Sequence, residues 1–98
     1  MRAALLALSV VAVLPGCMID RAAEASFREK GYGVYGRDPF RFEVEPQLLR
    51  QWGGPRSEQF QRVLEEELER KKICRNGYTL RNESQREGFF SVQGRCKS

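Results

Sequence analysis

The first apolar stretch of the chain is a nearly unbroken run that begins beside the N-terminus. Only Arg2 precedes it, and one of the twelve residues from Ala3 to Leu14 is polar. A Pro-Gly pair then ends the run immediately before Cys17. Twelve residues form about 18 Å of helix, which is shorter than the roughly 30 Å hydrocarbon core of a membrane. The pattern is therefore typical of a secretory signal rather than a membrane span.

A second pattern, with a period of two residues, predicts a strand in the first half of the chain. Apolar and charged residues alternate from Phe40 to Glu45. The apolar residues would face a core and the charged ones would face water. Glu43 and Glu45 share the outer face and form a conceivable acid–base pair. Because nothing nearby predicts the burial that perturbs a carboxyl pKa, an exposed strand face is the simpler interpretation.

Helical spacing occurs twice after this strand. Pro46 suits the first position of a short helix, which Gly53 ends. Ser57 is placed to cap a longer helix from Glu58 to about Lys72. The apolar positions at helical spacing are Leu48, Leu49 and Trp52 in the first helix and Phe60, Val63, Leu64 and Leu68 in the second. The acidic run from Glu65 to Glu69 suggests either a cation site or a solvated helix face, and we favour the solvated face.

The last third of the chain predicts a β-hairpin. If Cys74 lies opposite Cys96, the polar residues from Glu83 to Glu87 form the turn. Phe89 then falls on the outer face, where it packs against a loop or marks a contact surface. In this register the apolar residues that share the inner face are Tyr78, Leu80, Phe90 and Val92. A disulfide between the two cysteines would be structural, because they lack the CxxC spacing of redox sites.

The sequence Leu14-Pro15-Gly16-Cys17 resembles the lipobox of a bacterial lipoprotein, although Pro15 departs from the usual small or β-branched residue. The resemblance implies cleavage between Gly16 and Cys17, and a diacylglyceryl group plus an N-acyl chain such as palmitate on Cys17. Met18 is not the aspartate associated with inner-membrane retention, so the resemblance favours an outer-membrane lipoprotein facing the periplasm. The cysteine count agrees, because acylation of Cys17 leaves one pair in a compartment where disulfides persist.

A weaker resemblance covers the last third of the chain. The segment from Cys74 to Tyr78, followed by the closing Gly94-Arg95-Cys96, is similar to small uncharacterised lipoproteins of proteobacteria. That resemblance implies no known activity.

The domain organisation that follows is a signal peptide over residues 1–16, a lipidated tether over residues 17–38 and one small domain over residues 39–98. Within the tether, glycine alternates with aromatic or branched residues from Gly31 to Gly36. Such frequent glycine weakens a regular strand, so we expect an irregular segment or a segment that binds a partner. Tyr32, Tyr35 and Phe89 are the candidate contact residues, because these aromatic side chains have no obvious core position. Trp52 is expected in the core.

Composition narrows the possible functions. The chain has no histidine, which is the commonest general base and a frequent metal ligand. Two spaced cysteines do not make a zinc site, and no serine nucleophile with a base is recognisable. The formal net charge is +4, and the basic residues are spread along the sequence. We therefore expect no cofactor, metal or nucleic acid, no enzymatic activity, and little room for a deep pocket in so small a domain.

The sequence predicts an α+β fold, in which a small antiparallel sheet with a disulfide-closed hairpin packs against one long and one short helix. The expected function is a non-enzymatic lipoprotein, held in the outer membrane by acyl chains on Cys17, that serves as an accessory or binding module of the envelope. An inhibitor or immunity-type protein against a secreted hydrolase is the alternative. A structural envelope component without a specific ligand is the third hypothesis.

Overall fold

The computed structural model describes residues 20–86 and 88–98. The predicted signal segment, the cleavage position at Gly16 and the lipidation position at Cys17 lie outside the described residues. Within residues 20–86 and 88–98, no helix is both long and apolar enough to cross a membrane. The elements in chain order are α1 (Arg21–Lys30), β1 (Tyr32–Gly36), β2 (Phe40–Val44), α2 (Pro46–Trp52), α3 (Glu58–Lys71), β3 (Tyr78–Arg86) and β4 (Phe89–Cys96).

The four strands form one antiparallel sheet in the order β1-β2-β4-β3. One face, here called the inner face, packs against α2 and α3 and holds the core. The predicted α+β class is therefore confirmed, as are both predicted helices and the strand that begins at Phe40. The core consists of Val34, Phe40, Phe42, Val44, Leu49, Phe60, Val63, Leu64, Leu68, Ile73, Phe90 and Val92.

Helix α3 begins and ends as its sequence indicates. The Oγ of Ser57 accepts a hydrogen bond from the amide of Phe60, and Lys72 ends the helix in the left-handed conformation. The acidic run is not wholly solvated, because Glu67 is only 4% exposed. Its carboxylate accepts a hydrogen bond from Arg70 at 2.8 Å and lies 3.7 Å from the ammonium of Lys30. Helix α3 is thereby linked to α1.

The expectation that the segment from Gly31 to Gly36 is irregular is wrong. Residues 32–36 form edge strand β1, and the chain before them forms the ten-residue helix α1. Gly33 explains the glycine content, because a Cβ built there would lie 2.5 Å from the carbonyl oxygen of Ala23 in α1. Glycine thus allows α1 to pack directly on the strand, a tertiary reason that is invisible in the strand's own sequence.

Side chains bind the backbone groups on the edge of β1 that faces away from β2. Ser26 donates a hydrogen bond to the carbonyl of Tyr32 at 2.9 Å, and Lys71 donates one to the carbonyl of Val34. Asp20 accepts one from the amide of Gly36. An open strand edge would offer these groups to another chain, so the side chains protect this edge from strand pairing.

The predicted hairpin exists, but its predicted register is wrong. Tyr78 pairs with Cys96, whereas the prediction placed it opposite Val92. Residues 83–86 continue β3, so they do not form the turn. The inner face is nevertheless preserved, because the shift at Tyr78 is four residues and side chains alternate every two. A bulge between Arg81 and Ser84 takes up the remaining mismatch between the strands.

The disulfide between Cys74 and Cys96 is present. It does not join a cross-strand pair, because Cys74 lies in the turn before β3. The bond therefore ties the end of helix α3 to the last strand. Residues can be bridged wherever their Cα atoms lie within about 7 Å, so the bond constrains their distance and leaves the strand register open.

Candidate functional site

The candidate site lies on the outer face of the sheet, the face opposite the core. In one row across the strands, Tyr35, Arg41, Gln93 and Arg81 lie side by side. In the next row, Glu43 lies between Gly33 and Ser91. Successive side chains of a strand point to opposite faces of the sheet. Because the residues that alternate with these are held in the core, these side chains must lie on the outer face. The outer face is consequently polar.

Two walls turn this face into a groove. The first turn of α1 forms one wall with Asp20 and Glu24, and the second half of β3 forms the other with Ser84 and Arg86. The bulge in β3 places Asn82 in the left-handed conformation. Its side-chain amide donates a hydrogen bond to Gln93 at 2.7 Å.

The resulting groove is open to solvent and has a volume of about 910 Å³. Ligand sites commonly measure about 300–1,000 Å³. The sequence predicts little room for a deep pocket in so small a domain. The groove does not need a deep pocket, because it lies on the surface between the sheet and its flanking elements. Its remaining lining residues are Tyr35, Gly36, Pro39, Phe40, Arg41, Ser91 and Gln93.

Arg41 organises the floor of the groove. Its guanidinium lies 4.7 Å from the centre of the Tyr35 ring and donates a hydrogen bond to the carboxylate of Glu43. Glu43 was expected to face water, but it is only 9% exposed. The expectation is wrong because α1 packs over this part of the sheet. Burial raises the pKa of the Tyr35 hydroxyl, and the nearby carboxylates of Glu43 and Glu24 raise it further.

Asp20 anchors the wall formed by α1. Its carboxylate accepts hydrogen bonds from the amides of Ala23 and Gly36 and from the ammonium of Lys71, the last at 3.0 Å. Partial burial by itself would raise the pKa of Asp20, but these bonds outweigh it and the pKa lies below its ordinary value. Asp20 is thus an ionised anchor at neutral pH, where it holds the start of α1 against β1 and α3.

The structure separates the three aromatic residues predicted to contact a partner. Tyr32 lies on the inner face, with its ring centre 5.6 Å from that of Trp52. Tyr35 lines the groove. Phe89 lies on the outer face, half-buried against Phe27 of α1 at 6.3 Å between ring centres. The expected core position of Trp52 agrees with its packing on Phe60.

Sequence reasoning missed most of the groove. The alternation around Phe40 marks Arg41 as an outer-face residue, but no local signal indicates that Gln93 and Ser91 lie beside it. Ser84 and Arg86 fall in the predicted turn and Asn82 directly before it, whereas the structure places all three in the long strand β3.

The acidic run of α3 does not form a cation site. Across residues 20–86 and 88–98, no group of three or more acidic, histidine or cysteine side chains is placed to hold a metal ion. Glu65 instead accepts hydrogen bonds from Gln61 and from the hydroxyl of Tyr78. Burial, together with the charge and the hydrogen bond of Glu65, raises the pKa of Tyr78 to about 12.

Comparison of the chain with protein-family models, with curated proteins and with solved structures finds no match. The groove and the chemistry of its residues are therefore the evidence for a function.

Proposed function

We propose that this protein is a non-enzymatic binding module of the bacterial envelope, anchored to the outer membrane through acyl chains on Cys17 and facing the periplasm. The groove on the outer face of the sheet is the observation that carries the binding role. An antiparallel sheet commonly leaves one face to water, but here α1 and the bulged half of β3 enclose that face on two sides.

The lining of the groove supports a polar partner. The amides of Asn82 and Gln93 and the hydroxyls of Ser84 and Ser91 offer hydrogen-bond donors and acceptors along one wall and the floor. Arg86, at the far end of β3, is exposed and adds a cationic group suited to a carboxylate. A segment of another envelope protein with polar side chains and a carboxylate fits this lining.

The titratable groups of the groove favour binding over catalysis. Asp20 has a lowered pKa and three hydrogen-bond donors, so it does not suit the role of a general base near neutral pH. The pKa of Tyr35 is raised, so its hydroxyl keeps its proton at neutral pH and can donate a hydrogen bond. Both groups suit a fixed polar surface.

Photo-crosslinking in cells that carry the native envelope tests the groove. A benzophenone amino acid placed at Gln93 should yield one discrete crosslinked product, because its side chain lies on the groove floor. The same amino acid at Gln51, an exposed residue of α2, is the matched control and should yield none. Equal product patterns at the two positions would contradict a binding role for the groove.

The mass of the purified protein tests the anchor separately. We expect a chain that begins at Cys17 and carries acyl groups, and a Cys17→Ser variant that leaves the membrane fraction. Several acyl chains hold a protein stably, since each buried CH₂ contributes about 0.8 kcal/mol. An unmodified Cys17 in the wild-type protein would overturn the lipoprotein assignment and leave the crosslinking result to decide the binding role.

A further inference from the structure

The fold gathers basic side chains that are far apart in the sequence. Arg37, Lys72, Arg75, Arg95 and Lys97, here called the basic end, are all exposed and lie in three segments. Several contacts join these segments. Arg37 donates a hydrogen bond to the carbonyl of Lys72 at 3.0 Å, the amide of Lys97 donates one to Gly77 at 2.9 Å, and the disulfide joins the second and third segments.

Acidic residues offset only part of this charge. Asp20 is paired with Lys71, whereas Asp38 keeps its negative charge at this end, where it accepts a hydrogen bond from the amide of Cys96. Glu65 and Glu69 of α3 line the same surface pocket as Lys72 and Arg75. The five basic side chains outnumber the carboxylates of Asp38, Glu65 and Glu69, so the basic end carries an excess of positive charge on a surface formed by loops and strand ends.

The described fold begins at this same end of the molecule. Asp20 contacts Lys71 and the amide of Gly36, which are immediate sequence neighbours of Lys72 and Arg37. Only Met18 and Ile19 separate Asp20 from Cys17. Three residue steps span at most about 11 Å when fully extended. If Cys17 is lipidated, which is part of the proposed function, the fold therefore lies against the membrane surface.

We propose that the basic end docks on anionic phospholipid headgroups of the membrane that holds the acyl chains of Cys17. A Lys or Arg near an anionic membrane surface strengthens association by about fivefold, which corresponds to about 1 kcal/mol. Two independent features thus orient the molecule the same way, namely the short connection to Cys17 and the charge of the end where that connection enters.

This orientation determines the direction of the groove. Gly36 and Pro39 line it beside the basic end, whereas Arg86 lies near the turn at the other end of β3. Docking therefore places one end of the groove at the headgroups and directs the other toward the periplasm. A partner seated in the groove would be held close to the membrane surface.

Hydrogen–deuterium exchange of the full lipidated protein, purified from membranes and reconstituted in vesicles, tests the docking. In vesicles of equimolar phosphatidylcholine and phosphatidylglycerol, amides at residues 72–77 and 95–98 should exchange more slowly than in vesicles of phosphatidylcholine alone. About 0.5 M NaCl should abolish the difference, because the Debye length there is only a few ångströms. Exchange in α2 should be the same in both vesicles.

Two triple variants remove the same number of positive charges from different parts of the surface. The triple variant Arg75→Gln, Arg95→Gln and Lys97→Gln should weaken docking by about a hundredfold and remove the protection. The control Arg50→Gln, Arg56→Gln and Arg62→Gln removes three positive charges from α2, α3 and the connection between them, and should keep the protection. Melting temperatures of both variants show whether the fold is retained.

Equal exchange in the two vesicle types, with Cys17 shown by mass to be acylated, would overturn the docking and leave the lipoprotein assignment intact. Protection that appears only when peptidoglycan fragments are added would also overturn it, because the basic end would then bind a cell-wall polymer. Loss of protection in both triple variants would show that net charge alone, without a defined docking face, is responsible.

Discussion

Gly94 shows at a single residue how the core sets side-chain identity. It lies in β4 on the inner face, paired with Phe40 of β2. A Cβ built at Gly94 would lie 2.1 Å from the Cζ of Phe40, so the aromatic ring occupies the space that a side chain would need. Phe40 itself is 1% exposed and packs edge-on against Tyr78. The ring therefore has little room to move.

We expect Gly94→Ala to destabilise the protein by about 1–3 kcal/mol, the usual cost of overpacking a well-packed core. Urea unfolding followed by circular dichroism measures the change. Gln93→Ala changes the neighbouring residue on the outer face and serves as the control, with an expected change within about 1 kcal/mol. Equal stability of Gly94→Ala and the wild type would show that the Phe40 ring can shift freely.

Asp20 makes the stability of the fold depend on pH. The pKa of its carboxyl lies below the ordinary value in the folded protein, so its contribution to stability is fully present above about pH 5. That contribution is lost as the pH falls through the folded-state pKa, because a protonated carboxyl no longer pairs with Lys71. The stabilisation belongs to the neutral and mildly acidic range.

Asp20→Asn should lower stability at pH 7 by about 0.5–1 kcal/mol, because asparagine still caps α1 but does not pair with Lys71. The difference from the wild type should shrink as the pH falls below about 4. Urea unfolding across this range measures it, and Glu29→Gln, an exposed change on the same helix, is the control. A constant difference down to pH 3 would exclude the charge of Asp20 as its source.

At the scale of elements, the disulfide joins parts that the sheet alone does not hold together. Cys74 follows α3, whereas Cys96 ends β4. Strand β3 is exposed along almost its whole length and forms an edge of the described sheet, where it pairs with β4. The bond therefore limits how far the end of α3 and the hairpin can separate.

The double variant Cys74→Ser and Cys96→Ser should lose about 3 kcal/mol of stability in the chain-entropy model for a loop of this size. Thermal unfolding measures the loss, and a reducing agent should produce the same loss in the wild type. The reducing agent should leave the double variant unchanged, which controls for other effects of the reagent. Full stability of the reduced wild type would contradict a structural role.

At the scale of the whole molecule, α1 and β1 belong to the folded unit. The predicted domain boundary placed residues 17–38 in a tether, yet Val34 of β1 is 1% exposed in the core. Ala23 of α1 is 2% exposed against the strand. Strand β1 also covers the edge of β2, whose backbone would otherwise be open.

A fragment of residues 39–98 should consequently be much less stable than one of residues 20–98. Removing β1 and α1 makes β2 an edge strand and exposes core side chains such as Phe42, and a domain of about 60 residues is already marginal. Thermal unfolding of the two fragments, both with the disulfide formed, gives the comparison. Equal melting temperatures would support the boundary at residue 39.

Much of the fold could be predicted because its information is local. Ser57 and the stripe from Phe60 to Leu68 predict α3, and the alternation from Phe40 to Val44 predicts β2, since each depends on spacing within one element. The hairpin register could not be predicted in this way. Several pairings bring the apolar residues to one face, and the β3 bulge lies among exposed polar residues that provide no hydrophobic pattern.

The sequence by itself determined the α+β class, the cysteine pair and the faces of the main elements, because cysteine number and hydrophobic periodicity need no knowledge of neighbours. The tertiary structure alone decided that a glycine-rich segment is a strand, that Glu43 is buried and that the basic residues gather at one end. It also decided that Arg41, Gln93 and Asn82 share a groove. Each of these depends on which distant segments meet, and the sequence does not record that locally.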